Sequence, residues 1–89
     1  MNELFMVKPF SASFNSTSSN FYEGDLSVET DGYTALGVVG YNSNNSVNYF
    51  LSRYYLRYTN AINFIVRSMN NALSAGSITF YVLFAKKQS

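Results

Sequence analysis

The chain has 89 residues, 47% of them hydrophobic, 18% aromatic and only 12% charged, with a formal net charge of +1. That length supports one domain with one modest core, and the charged fraction is about half the usual one. The lack of cysteine and histidine excludes disulfides, thiolate zinc sites, Cys nucleophiles and histidine acid–base chemistry, and so small a net charge gives no electrostatic case for nucleic acid.

Taken in chain order, the N-terminus does not have the form of a signal peptide. Glu3 sits where a basic region belongs, and Lys8-Pro9 cut the apolar run short. Residues 1–14 read as a lead-in strand or arm, with Phe10, Ala12 and Phe14 alternating with Ser11 and Ser13. Pro9 confines this stretch to a sheet edge. A polar loop follows at 15–20. A second strand is expected over 21–29, with Leu26 and Val28 on one face and Glu23-Gly24-Asp25 as a turn or bulge.

Asp31-Gly32 is a turn signal. Residues 33–41 are apolar or small throughout, which predicts a strand at the centre of a sheet, covered on both faces. Its glycines, Gly37 and Gly40, mark bulges or a close backbone approach. An Asn/Ser loop occupies 42–46. Residues 47–58 read as a strand, with Val47, Tyr49, Leu51, Arg53, Tyr55 and Arg57 on one face and Phe50, Tyr54, Leu56 and Tyr58 on the other; a helix would set Arg53 and Arg57 one turn apart. The β-branched and aromatic content favours strand. Residues 61–73 fit both a strand with Ile62, Phe64 and Val66 on one face and a helix face of Ile62, Ile65, Val66, Met69, Ala72 and Leu73. The last strand spans 77–86, with Ile78, Phe80, Val82 and Phe84 on one face and Tyr81 and Leu83 on the other. No segment approaches the roughly 20 apolar residues of a membrane helix.

The constellations that carry chemistry are few. Glu23, Asp25, Glu29 and Asp31 could form a carboxylate pair or a calcium site, but turn and solvent-facing strand positions account for them more simply. Arg53, Arg57 and Arg67 lie among aromatic residues. They suit a stacking surface for glycan or nucleic acid; arginine stems covering tyrosine faces in an interface is the plainer account. Gly37-Val38-Val39-Gly40 lacks the Lys-Ser/Thr and the helix start of a phosphate loop. The glycosylation-like triplets Asn15-Ser16-Thr17 and Asn44-Asn45-Ser46 carry no weight without a secretion signal. The loop-end set Tyr41, Asn42, Asn44, Asn45 and Tyr49 is the best candidate for ligand binding, since loops on a rigid β scaffold carry recognition and Asn, Ser and Tyr make an adaptable surface. Arg53, Tyr55, Arg57, Tyr81 and Leu83 are the candidate oligomer contacts. No cofactor and no metal ligand set is expected.

The run Asp31-Gly32-Tyr33-Thr34-Ala35-Leu36-Gly37-Val38-Val39-Gly40-Tyr41-Asn42, the loop after it and the closing Ile78-Thr79-Phe80-Tyr81-Val82-Leu83-Phe84-Ala85-Lys86-Lys87 together resemble the small all-β domains at the C-terminal tips of phage tail-fibre and minor structural proteins. The likeness runs from about Val7 to Lys87. Val66-Arg67-Ser68 departs from that family's middle motif. The resemblance implies residues 1–89 as a single small antiparallel β-sandwich, jelly-roll-like and homotrimeric. It tips 61–73 towards strand. It also implies a non-enzymatic virion protein, assembled in the host cytoplasm, that attaches to a host cell-surface glycan or contacts other virion proteins. The alternative is a purely structural oligomerisation, capping or capsid-decoration module with no receptor of its own. A small carbohydrate-active enzyme fits poorly, given the missing acid–base inventory.

Overall fold

The computed structural model describes residues 4–44, 48–58 and 60–87. Six strands follow in order: β1 (Phe5–Phe14), β2 (Phe21–Ser27), β3 (Tyr33–Asn42), β4 (Tyr49–Arg57), β5 (Ala61–Ser68) and β6 (Gly76–Lys86). They form two antiparallel three-stranded sheets of order β1-β6-β3 and β2-β5-β4. The architecture is all-β and sandwich-like, within principal dimensions of 50 × 23 × 16 Å. The described residues contain no helix long and apolar enough to cross a membrane.

The central strand of each sheet supplies the middle of the core. Ile78, Phe80, Val82 and Phe84 of β6 and Ile62, Phe64 and Val66 of β5 are all buried. Phe64 meets Phe80 across the sandwich at 5.5 Å between ring centroids. Period-2 alternation is the reason: every second residue of a strand turns to one face. Phe10, Ala12 and Phe14 of β1 add to the same layer, as their alternation with serine predicts. Val28 and Leu73, just beyond strand ends, close the core. Leu73 is held by paired backbone bonds to Thr17, at 2.9 and 3.1 Å, which fasten residues 15–20 onto the segment after β5.

Residues 61–68 are strand, and bends follow at 69–72. The helix alternative fails on its own face: Met69 is exposed while Ile62 and Val66 are buried, and Ile65 lies on the opposite side of the strand from those two. Asp31-Gly32 is a turn, with Gly32 at φ +83°, a conformation that costs glycine little.

Three expectations need correction. Residues 23–25 are not a turn or bulge. Glu23, Gly24 and Asp25 pair in unbroken register with Ile65, Phe64 and Asn63. Gly24 lies inward under the Tyr22 ring, where an added Cβ would sit 2.7 Å from Tyr22 Cε2, so the glycine makes room for an aromatic ring. Residues 33–41 are not a central strand, since β3 is a sheet edge. Its apolar run comes from two bulges, at Leu36 between Ala35 and Gly37 and at Val39 between Val38 and Gly40. Each bulge sets an extra residue against one partner on β6, which breaks strict alternation and turns Leu36 and Val39 outward. The faces of 47–58 also change. A register shift between Leu51 and Arg53 makes Ser52 the extra residue. Tyr49, Leu51, Tyr54 and Leu56 therefore turn inward, and Phe50, Arg53, Tyr55 and Arg57 turn outward. Val47 lies outside the described residues.

Candidate functional site

The loop end of the sandwich is built on the last residues of β3. Tyr41 is in register with the inward-facing Phe80. Its ring therefore turns to the open side between the sheets and meets Tyr54 of β4 at 5.6 Å and 60°. Tyr54 in turn packs on Phe80 at 5.9 Å. Both tyrosines remain accessible, Tyr41 at 47% and Tyr54 at 37%. The pair is thus an exposed aromatic step resting on a core ring.

Asn42, one residue on, faces the opposite way. Its Oδ1 accepts the Asn44 backbone N–H at 2.8 Å, which stabilises the left-handed conformation of Asn44, φ 60°. The Asn44 side chain lies over β6. Its Nδ2 donates to Ser77 Oγ at 2.6 Å, and its Oδ1 accepts Thr79 Oγ1 at 3.4 Å. Thr79 shares a further bond of 2.9 Å with Ser11 on β1. An uncharged ladder of amide and hydroxyl groups so crosses the end of the sheet β1-β6-β3.

Tyr49 lies beneath this loop, buried, and offers no ring face to a ligand. Its hydroxyl donates to Ser77 O at 2.9 Å and accepts the Ser77 N–H at 3.1 Å. Ser43 O, at 3.2 Å, is the alternative acceptor for that one proton. Its ring abuts Phe14 edge-on at 5.0 Å. Tyr49 therefore positions the loop from below. Of the five residues expected at this end, Tyr41, Asn42 and Asn44 are at the surface, Tyr49 is underneath, and Asn45 lies outside the described residues. Sequence reasoning placed Tyr54 only among the aromatics around Arg53 and Arg57, and missed Ser77, Thr79 and Ser11, whose only signal is the serine and threonine alternation of 11–13 and 77–79.

The outward face of β2-β5-β4 carries two ion pairs. Arg53 reaches Glu23 at 3.3 Å and Arg57 reaches Asp25 at 3.0 Å. Between them Asn63 is buried, although its strand position faces outward. Its Oδ1 accepts Arg53 at 3.3 Å and its Nδ2 donates to Asp25 Oδ1 at 2.9 Å. The arginines also lie over rings, Arg53 over Tyr55 and Arg57 over Tyr58. Glu23 and Asp25 are thus each engaged by an arginine. Replacing Asn63 with leucine is expected to lower stability by about 1–2 kcal/mol, because Arg53 and Asp25 lose their shared partner. Arg53→Ala and Arg57→Ala are expected to cost no more than about 1 kcal/mol each, as half-exposed pairs do. Urea denaturation distinguishes the two cases.

Tyr81 and Leu83 are on the other sheet, on the outward face of β6 opposite the inward Phe80, Val82 and Phe84. The five expected oligomer contacts therefore divide between opposite faces of the sandwich: Arg53, Tyr55 and Arg57 on one, Tyr81 and Leu83 on the other. No pocket forms among the described residues, so recognition at any of these places would be on an open surface. No family model, curated protein or solved structure matches the chain.

Proposed function

We propose that this chain is a non-enzymatic virion protein, a tail-fibre-tip-like β domain that works as a homotrimer and attaches to host-surface glycan through its loop end. The observation that carries this reading is the Tyr41–Tyr54 pair. Two exposed rings are fixed on the core beside a loop that is fastened by Tyr49 from below and by Asn42 and Asn44 from within. Such a surface is ordered before it meets a ligand, which lowers the entropy cost of binding. Its exposed groups are two tyrosine rings with their hydroxyls, which suit the apolar faces and hydroxyls of a sugar.

The strand order supports a jelly-roll-like winding. β1 pairs with β6 and β2 with β5, while β3 and β4 lie at the edges of different sheets. A long hairpin folded over on itself gives this arrangement. The elongated outline suits a fibre end.

A glycan array followed by calorimetry on the best sugar tests the reading. Tyr41→Ala and Tyr54→Ala are each expected to weaken binding roughly tenfold or more, as loss of an aromatic anchor does. Tyr58→Ala, a ring exposed elsewhere, should leave binding unchanged. Binding that survives both loop-end substitutions would sink the proposal. The second reading, a purely structural capping or decoration module, is favoured by the uncharged apolar face of β1-β6-β3. It takes over if the assembled wild-type protein binds no sugar at all.

A further inference from the structure

We infer that the outward face of the sheet β1-β6-β3 is the surface that three copies of this chain turn towards a common threefold axis. The inference deepens the homotrimer part of the function proposed above and rests on it. It is independent of the glycan. Phe5, Val7, Leu36 and Val39 stand on this face, each more than half exposed. Tyr81 and Leu83 lie between them on β6, in register with Pro9 and Val7. The two bulges of β3 bring Leu36 and Val39 to the patch, each beside a glycine that opposes Leu83 or Tyr81. Bulges that re-aim side chains are selected features, and here both add apolar surface where water would otherwise be.

The occupant follows from charge and width. No outward position across the paired registers of this sheet carries a charged residue. Two copies can meet on this face without burying a charge, whereas meeting on the opposite face would bury Arg53, Arg57, Glu23 and Asp25. Its polar half is already satisfied internally, Ser11 with Thr79 and Ser77 with Asn44, so covering it leaves few groups unpaired. Three strands about 4.8 Å apart and ten residues long give a face of roughly 14 × 33 Å, or about 450 Å² per copy. Three walls about 14 Å wide also close a triangular prism whose faces lie roughly 4 Å from the axis, close to the half-spacing of about 5 Å that side chains fill between packed sheets.

Edge-to-edge pairing is blocked on every side. Pro9 removes a backbone donor from β1, bulges interrupt β3 and β4, and β2 carries Glu23 and Asp25. These are the devices that keep free edges from joining. The faces are what remains for assembly.

Sedimentation equilibrium of the full chain at micromolar concentration tests the inference. The wild type should show the mass of three chains. Val39→Lys and, as a second variant, Leu36→Glu should each raise the dissociation constant at least about tenfold, with an unchanged far-ultraviolet spectrum, since both positions lie outside the core. Tyr55→Lys on the opposite face should leave the three-chain mass intact. A one-chain or two-chain wild type overturns the inference. So does a three-chain wild type that tolerates both Val39→Lys and Leu36→Glu, which would keep the trimer and discard this face. A three-chain mass lost in Tyr55→Lys instead has the same consequence. Sugar binding in a one-chain wild type would leave the attachment function standing without the assembly.

Discussion

Replacing Phe80 with alanine is expected to cost about 3–5 kcal/mol, the range for truncating a buried aromatic. Phe80 is fully buried at the centre of β6. It packs on Phe64 of the facing sheet at 5.5 Å and on Tyr54 at 5.9 Å. Alanine removes the ring and leaves a cavity bounded by two sheets. Each sheet is held by its own hydrogen bonds and cannot collapse far to fill it. A domain of this size has a total stability of only about 5–15 kcal/mol, so the variant gives up a large fraction of it. Phe80→Leu keeps most of the volume and is expected to cost under about 2 kcal/mol. Urea melts of the two variants give the comparison. A second effect is specific to this structure. Tyr54 leans on Phe80, and Tyr41 leans on Tyr54, so even the fraction of Phe80→Leu that folds should show weaker sugar binding than its stability alone accounts for. If Phe80→Ala loses less than about 1.5 kcal/mol, the two sheets do not share the core described here.

How much of this was legible in the sequence depends on whether local pattern or pairing decided the outcome. The alternation of Ile78, Phe80, Val82 and Phe84 with Thr79, Tyr81 and Leu83 is a property of one strand, and it gave both faces of β6 correctly. Asp31-Gly32 as a turn is likewise local. The strand at 61–68 needed a choice between two periods that the same residues satisfy. The exposed Met69 decides it, and exposure cannot be read from a hydropathy pattern. The bulges lie further from the sequence. Nothing in Leu51-Ser52-Arg53 marks Ser52 as the residue without a partner, because a bulge is a relation between two strands. One unpaired residue there reverses the facing of everything before it, which is why Tyr49 moved from a surface position to the core. In β3 the bulges were marked, since Gly37 and Gly40 each close one, but the edge position of 33–41 was not, because two bulges turn an alternating edge into an apparently continuous apolar run.

The candidate site was legible to a similar degree. Tyr41, Asn42 and Asn44 were singled out for their residue types, and these types reach the surface at the loop end. The opposition of Tyr41 to Asn42, one turned to Tyr54 and the other to Thr79, follows from register with β6. The division of Arg53, Tyr55 and Arg57 from Tyr81 and Leu83 is also set by register and sheet order. In each case the missing information is which strand stands beside which. The burial of Asn63 is a further step removed, because it comes from Arg53 and Asp25 folding over an outward-facing amide.

The other large effect is expected at Gly76, where β6 begins. A Cβ built there would lie 2.5 Å from both Cε2 and Oη of Tyr49, so Gly76→Ala cannot be accommodated unless the ring moves. A ring at the surface would swing aside. This one is buried, abuts Phe14 edge-on at 5.0 Å and is tied by its hydroxyl to both backbone groups of Ser77. Displacing it gives up those bonds and the ring packing together, and the expected loss is about 1–3 kcal/mol, as for other overpacked sites. Tyr49→Phe, which removes only the hydroxyl, should cost about 1 kcal/mol. The decisive comparison is a double variant. In a Tyr49→Leu background the obstructing ring is gone, so adding Gly76→Ala should cost less than about 0.5 kcal/mol, a coupling well outside the additivity of independent sites. Strict additivity of the two substitutions would mean that Gly76 is required for its backbone conformation and not for the space it leaves. The coupling should also extend to the loop end. Ser43 O lies 3.2 Å from the same hydroxyl, so Gly76→Ala and Tyr49→Phe should both speed amide hydrogen exchange around residues 42–44, where local opening sets the rate. A substitution elsewhere of equal thermodynamic cost should leave those amides as they are.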